Sequence, residues 1–161
     1  MILRIIFVIL LFFAFTTHSY SAASSSGSTK SYYDRAAKLI TAAKKYEQKG
    51  KDKKAKKRYE RALKLLIKAN KENPNQADTL NYLGFATRKL GDYEKGEEFY
   101  LLGLKIDPKH KGINEYLGEL YVATNRIDLA KERLNVLKNC NCQEYEELKE
   151  IMKEKNNLNI N

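Results

Sequence analysis

From residue 31 onward, apolar side chains recur at intervals of three and four positions, in short runs separated by small or polar breaks. In the first run Leu39, Ala42, Ala43 and Tyr46 fall on one face, the spacing of an amphipathic helix. The breaks fall at Gly50, at Gly91-Asp92, at Asp107-Pro108, at Asn125 and at Cys140-Asn141-Cys142. Glycine and asparagine allow the chain to turn through positive φ, and proline stops a helix because it cannot donate the next hydrogen bond. The pattern therefore predicts helices over residues 31–49, about 52–71, 77–90, 93–106, 112–124, 127–138 and 143–155. Ser31 with Asp34, Asn75 and Asp92 are the expected N-terminal caps.

The runs repeat. Tyr82, Leu83 and Gly84 return 34 residues later as Tyr116, Leu117 and Gly118. Upstream the lag is 41, relating Leu39 to Leu80, Gly50 to Gly91, Ala55 to Gly96, Tyr59 to Tyr100 and Ala62 to Gly103. Seven extra residues must lie between Ala62 and Pro74, close to two helical turns, so the second helix is prolonged without its buried stripe rotating off the core. A fixed period of this size marks stacked helical pairs. Leu83-Gly84, the Gly91-Asp92-Tyr93 turn, Tyr100 and Pro108 stand in the register of the tetratricopeptide repeat, which this stretch resembles.

That resemblance implies an all-α chain: a short right-handed α-solenoid of three hairpins, at about 36–76, 77–110 and 111–142, closed by a capping helix at 143–156. Gly96 and Gly103 depart from the alanine usual in the family, and Cys142 stands where the third repeat would carry proline. A close approach of Gly96 to Gly84 would account for the first departure. The last apolar face of a solenoid needs a helix with a polar outer side, and 143–155 provides one, with Glu144, Glu146 and Glu147 near its start.

Ahead of the repeats, residues 1–23 read as a cleaved secretory signal. Arg4 gives a positive start, 5–15 is apolar, and small residues follow, with cleavage fitting equally after Ser21 or Ala23. The apolar run is shorter than the ~18 to 20 residues that span a bilayer. No transmembrane segment is therefore expected in the mature chain, which would be exported, first to a periplasm and otherwise by a secretory route. Residues 24–30 are small and polar and are expected to form a flexible linker to a helical domain over 31–157.

Charge divides the chain. Residues 30–71 hold 16 Lys and Arg against 4 Asp and Glu, while 72–161 hold 13 against 16, within a net charge of +10. Lys51, Lys53, Lys54, Lys56, Lys57 and Arg58 gather at a helix start, where positive charge opposes the helix dipole. The block is either a solvated face or a patch for an anionic envelope surface, such as lipid headgroups or cell-wall and outer-membrane phosphates. Nucleic acid is not expected as a partner of an exported protein.

Catalytic chemistry finds few candidates. His18 belongs to the leader and His110 has no Glu or His at ligand spacing, so neither a metal site nor a Cys/His centre is indicated. With no glycine-rich phosphate loop either, neither cofactor nor enzymatic activity is expected. Cys140 and Cys142 are the only cysteines. In an oxidising compartment they are expected to pair as a disulfide, which requires the helix to end by Cys140. Intermolecular or unpaired thiols, and a redox-active pair used in thiol exchange, are the alternatives.

The resemblance to the tetratricopeptide family implies a protein-binding scaffold, in which the first helix of each pair lines a concave groove. Carried over, it places Ile40, Lys44, Asn81, Phe85, Arg88, Lys89, Glu115, Glu119 and Val122 along that groove. Phe85 either anchors a peptide side chain or packs against the preceding repeat. The basic-and-asparagine clamp with which some members hold a terminal carboxylate is not reproduced.

Overall fold

The computed structural model describes residues 26–158, and side chains over 32–155; the expected leader 1–23 lies outside the described residues. Seven helices and no strand occur among the described residues: α1 (Ser26–Glu47), α2 (Asp52–Glu72), α3 (Ala77–Lys89), α4 (Tyr93–Ile106), α5 (Lys111–Ala123), α6 (Ile127–Leu137) and α7 (Gln143–Leu158). Consecutive helices pair as α1 with α2, α3 with α4 and α5 with α6, and the pairs stack in chain order. The cap α7 closes the stack against α5 and α6. The fold is thus an all-α helical repeat. None of the described helices is long and apolar enough to cross a membrane.

The turns follow from the residues at the breaks. Gly91 takes φ 102° and Gly50 φ 64°, the left-handed region open to a residue without Cβ. Asn125 does the same work between α5 and α6 at φ 60°. The Asp92 side chain accepts from the Lys95 amide and caps α4. His110 Nδ1 accepts from the Ile113 amide at the start of α5. The inserted seven residues lengthen α2 as expected: it has 21 residues against 14 in α4.

Two expectations at helix starts are corrected. The first helix begins at Ser26 rather than Ser31, so most of the expected linker 24–30 is helical. Serine and glycine are poor helix formers but do not break a helix, and adding a turn to one already nucleated costs little. Asn75 is not the cap of α3. It occupies the turn itself at φ 60°, and Gln76 stands at the cap with no side-chain capping bond.

The interior is in two parts. One cluster joins α1, α2 and α3 through Ile40, Tyr59, Leu66, Leu83 and Phe85; the other joins α4 to α7 through Tyr100, Ile113, Leu117, Leu137 and Leu148. Half-buried Tyr116 packs on both. Small residues set the spacing between helices. A Cβ on Gly84 would sit 2.5 Å from the ring of Tyr100, and one on Gly96 would sit 3.1 Å from the Gly84 carbonyl oxygen. The glycines at both positions thus let α3 and α4 approach closely, which explains the departure at Gly96.

Candidate functional site

The inner helices α1, α3 and α5 carry the predicted groove residues, and one linked set of side chains joins all three. Lys44 of α1 reaches across α3 to donate to the Tyr116 hydroxyl of α5 at 3.1 Å. Its ammonium also lies 5.3 Å from the Phe85 ring centre and 5.2 Å from that of Tyr116. Phe85 meets Tyr116 with ring centres 4.6 Å apart and Tyr59 at 5.8 Å. Arg88 and Lys89 complete a ring of cations around Phe85, at 5.6 and 5.7 Å. Such contacts contribute about 0.5–1 kcal/mol each where solvent reaches them and more where it does not.

Ion pairs link the same wall. Arg88, only 8% exposed, donates to Glu119 at 2.6 Å between α3 and α5. Lys89 bonds Glu47, which also accepts from the Tyr59 hydroxyl. At the far end Glu115 is 3% exposed, and its carboxyl is hydrogen-bonded to Glu147 of α7. Burial, the bond to Glu147 and the charge of Glu119 together push Glu115 up to about 9, with Lys44 opposing. Glu147 is held below the usual carboxylate range, chiefly by its bond from Glu115. One proton is therefore held at neutral pH, on Glu115, which donates to the Glu147 carboxylate.

This arrangement sets a pH dependence. Glu115 keeps its proton in the fold and loses it when unfolded, so its contribution to stability is complete below the unfolded value and falls away as pH rises toward 9. Wild-type melting temperature is expected to fall between pH 5 and about 9, while Glu115→Gln should hold a flatter profile and melt higher at the alkaline end. Parallel profiles for the two proteins in thermal scans would exclude the shared proton.

Exposure corrects the sequence reading of the groove. Ile40, Asn81, Phe85, Arg88, Glu115 and Val122 are all buried, Lys44 and Glu119 are half-buried, and only Lys89 is open. Phe85, 1% exposed, is the packed floor of the wall and not an exposed anchor. The reason is that neighbouring repeats and the cap cover each inner helix: Ile40 and Phe85 join the first cluster, and Val122 joins Leu148 and Met152 in the second. Sequence reasoning left out Glu47, Tyr59 and Glu147 from the wall. Only their heptad-like placement on helices pointed there, and each gains its role from a partner on another helix.

The basic patch is solvent-facing: Lys51, Lys53, Lys54, Lys56 and Lys57 are exposed and Arg58 half-buried. Cys140 and Cys142 form a close pair, with Cα atoms 5.2 Å apart, after α6 has ended at Leu137. Between them Asn141 takes φ 47°. No cluster of three or more His, Cys, Asp or Glu residues among the described residues is placed to hold a metal ion.

Stacked helical hairpins with an inner wall drawn from the first helix of each define the class of helical repeat proteins. Residues 77–110 match the family model for the tetratricopeptide repeat, and the fold of the described residues is that of solved tetratricopeptide-repeat structures. Solved structures with the same fold include the Sgt2 TPR domain from Aspergillus fumigatus, at 22% identity and TM-score 0.55, with 74% of this chain and 78% of that one covered. The first TPR of Spaghetti (RPAP3) bound to the HSP90 peptide SRMEEVD is 20% identical with TM-score 0.53, covering 76% and 94%. The type III secretion translocator chaperone SycD of Yersinia enterocolitica gives 20% identity and TM-score 0.53, covering 76% and 89%. No curated protein sequence matches the chain.

Proposed function

We propose that the protein is a non-enzymatic interaction scaffold of an extracytoplasmic compartment, most simply a periplasm, that holds a peptide segment of a partner protein against its inner wall. The observation that carries this is the linked wall itself: three repeats place Lys44, Lys89, Tyr116 and Glu119 on one surface whose polar groups bond across helices. A peptide entering there exchanges those bonds for its own at little net cost, because each group keeps a partner. That RPAP3 structure holds an HSP90 peptide, and another SycD structure holds a peptide of the translocator YopD, which supports the same use of the fold here. Export rests on the leader-like residues 1–23, and a disulfide between Cys140 and Cys142 would follow from it.

A photo-reactive residue at Lys89 on the inner wall, with Lys105 on α4 as the reference position, tests the proposal in intact cells. A discrete cross-linked protein is expected from position 89 and not from 105. Identical patterns from both would discard the groove.

The basic residues at the start of α2 favour a second reading, in which Lys51, Lys53, Lys54, Lys56, Lys57 and Arg58 attach the protein to an anionic envelope surface. Co-sedimentation with envelopes that persists unchanged when salt is raised would count against it, since exposed charges are screened.

A further inference from the structure

On the side of the first hairpin away from α3, helices α1 and α2 bound an open cleft of about 500 Å³. Its floor is apolar, made by Leu39 and Ala42 of α1 and Leu65 of α2. Its rims carry Arg35 and Lys38 on one side and Arg58, Arg61, Lys64 and Lys68 on the other, with no acidic residue in the lining. None of these six cations pairs with a carboxylate among the described residues. By contrast Arg88, Arg126 and Arg133, in the later repeats, each bond a glutamate. Arg35 and Arg58 lie over the rings of Tyr32 and Tyr46, and among the described residues no carboxylate takes the guanidinium forks of the first hairpin, which carboxylates fill two bonds at a time. A second, adjoining cleft continues the rim through Lys54 and Lys57, so that the cationic row on α2 runs from residue 54 to 68, roughly 21 Å of helix axis.

We propose that this cleft docks an acidic amphipathic helix of a partner protein, its apolar stripe on Leu39, Ala42 and Leu65 and its carboxylates on the two rims. A groove between two helices accepts a third helix by ridge-into-groove packing, as α3 packs on the other side of the same hairpin. Inorganic polyanions would satisfy the rims but gain nothing from the floor, and a flat lipid surface would leave the recessed floor empty. Neither residues 1–25 nor α7 supplies such a helix. Residues 1–25 contain no Asp or Glu, and α7, rich in glutamate, already has Leu148 and Met152 buried in its own stack. This surface is separate from the inner wall, so neither reading depends on the other.

The test uses the full chain and a synthetic helical peptide of about 14 residues, the length of the rim, with a leucine stripe flanked by glutamates. An isomer of identical composition with scattered leucines serves as the comparison. At physiological ionic strength the striped peptide is expected to bind about tenfold more tightly than its isomer. Arg61→Glu/Lys64→Glu should lower its affinity by about tenfold or more, because one sign of charge now faces another carboxylate. Lys105→Glu/Lys109→Glu, with the same change in net charge elsewhere, should leave it unchanged. Circular dichroism of both variants keeps folding separate from binding. Equal affinity for the two isomers would overturn the proposal, as would equal loss in the two variants. Binding of phosphatidylglycerol vesicles or polyphosphate without the striped peptide would reassign the cleft to those ligands, and concentration-dependent self-association that blocks the peptide would reassign it to a second copy.

Discussion

Glu119→Leu is expected to cost the fold about 3 kcal/mol, the low end for breaking a buried ion pair. The loss comes from what remains: Arg88 is 8% exposed, and without Glu119 its guanidinium stays charged with no carboxylate in reach of its terminal nitrogens. Burial works against that charge, while Glu119 and its hydrogen bond favour it. Removing both partners is a different experiment. Arg88→Met/Glu119→Leu replaces the pair with apolar volume and should recover most of the loss, since a buried pair and a well-packed apolar substitute are often close in free energy. Urea unfolding of the two single variants and the double variant gives the comparison. A Glu119→Leu protein within about 1 kcal/mol of wild type would show that the pair is solvated after all.

Gly84→Ala is the second large effect, and its direction opposes helix propensity. Alanine in a helix interior is better than glycine by about 1 kcal/mol. At this position the new methyl would lie 2.5 Å from the ring of Tyr100, which is fully buried between α4 and its neighbours. An aromatic ring in a filled core has nowhere to turn, so α3 and α4 must separate, with an expected net loss of about 1–3 kcal/mol. Gly118 occupies the same register one repeat later, yet a methyl there meets the end of the Leu148 side chain. A leucine tip can change rotamer, so Gly118→Ala should cost clearly less. Adding Tyr100→Leu to Gly84→Ala is expected to return part of the stability, as neighbours in contact are not additive. Equal melting temperatures for the two alanine variants would mean that the ring moves freely.

Much of this architecture was legible because turns and caps are local chemistry. Gly91, Asp92 and Pro108 bound α4 wherever the chain folds, and the change of lag from 34 to 41 residues carried the length of α2. The start of α1 was harder to read, because serine and glycine disfavour helix without forbidding it. Periodicity likewise places Phe85 on the inner side of α3, and it cannot tell an open face from one roofed by Lys44 and Tyr116, which arrive from helices 41 residues before and 31 after. The pairing of Glu115 with Glu147 is further from view still. Each carboxyl looks like a solvated glutamate on its own helix, and only the docking of α7 makes one of them hold a proton.

The two apolar clusters meet along the α3–α4 hairpin, where the Tyr100 ring lies against Gly84 and Tyr116 packs on both, so the molecule has a seam that is itself closely filled. Harm done at that seam is therefore felt on both sides of it. Lengthening the array by a whole hairpin ahead of α1 would leave both the seam and the cap undisturbed, a route by which such a chain grows without first being undone.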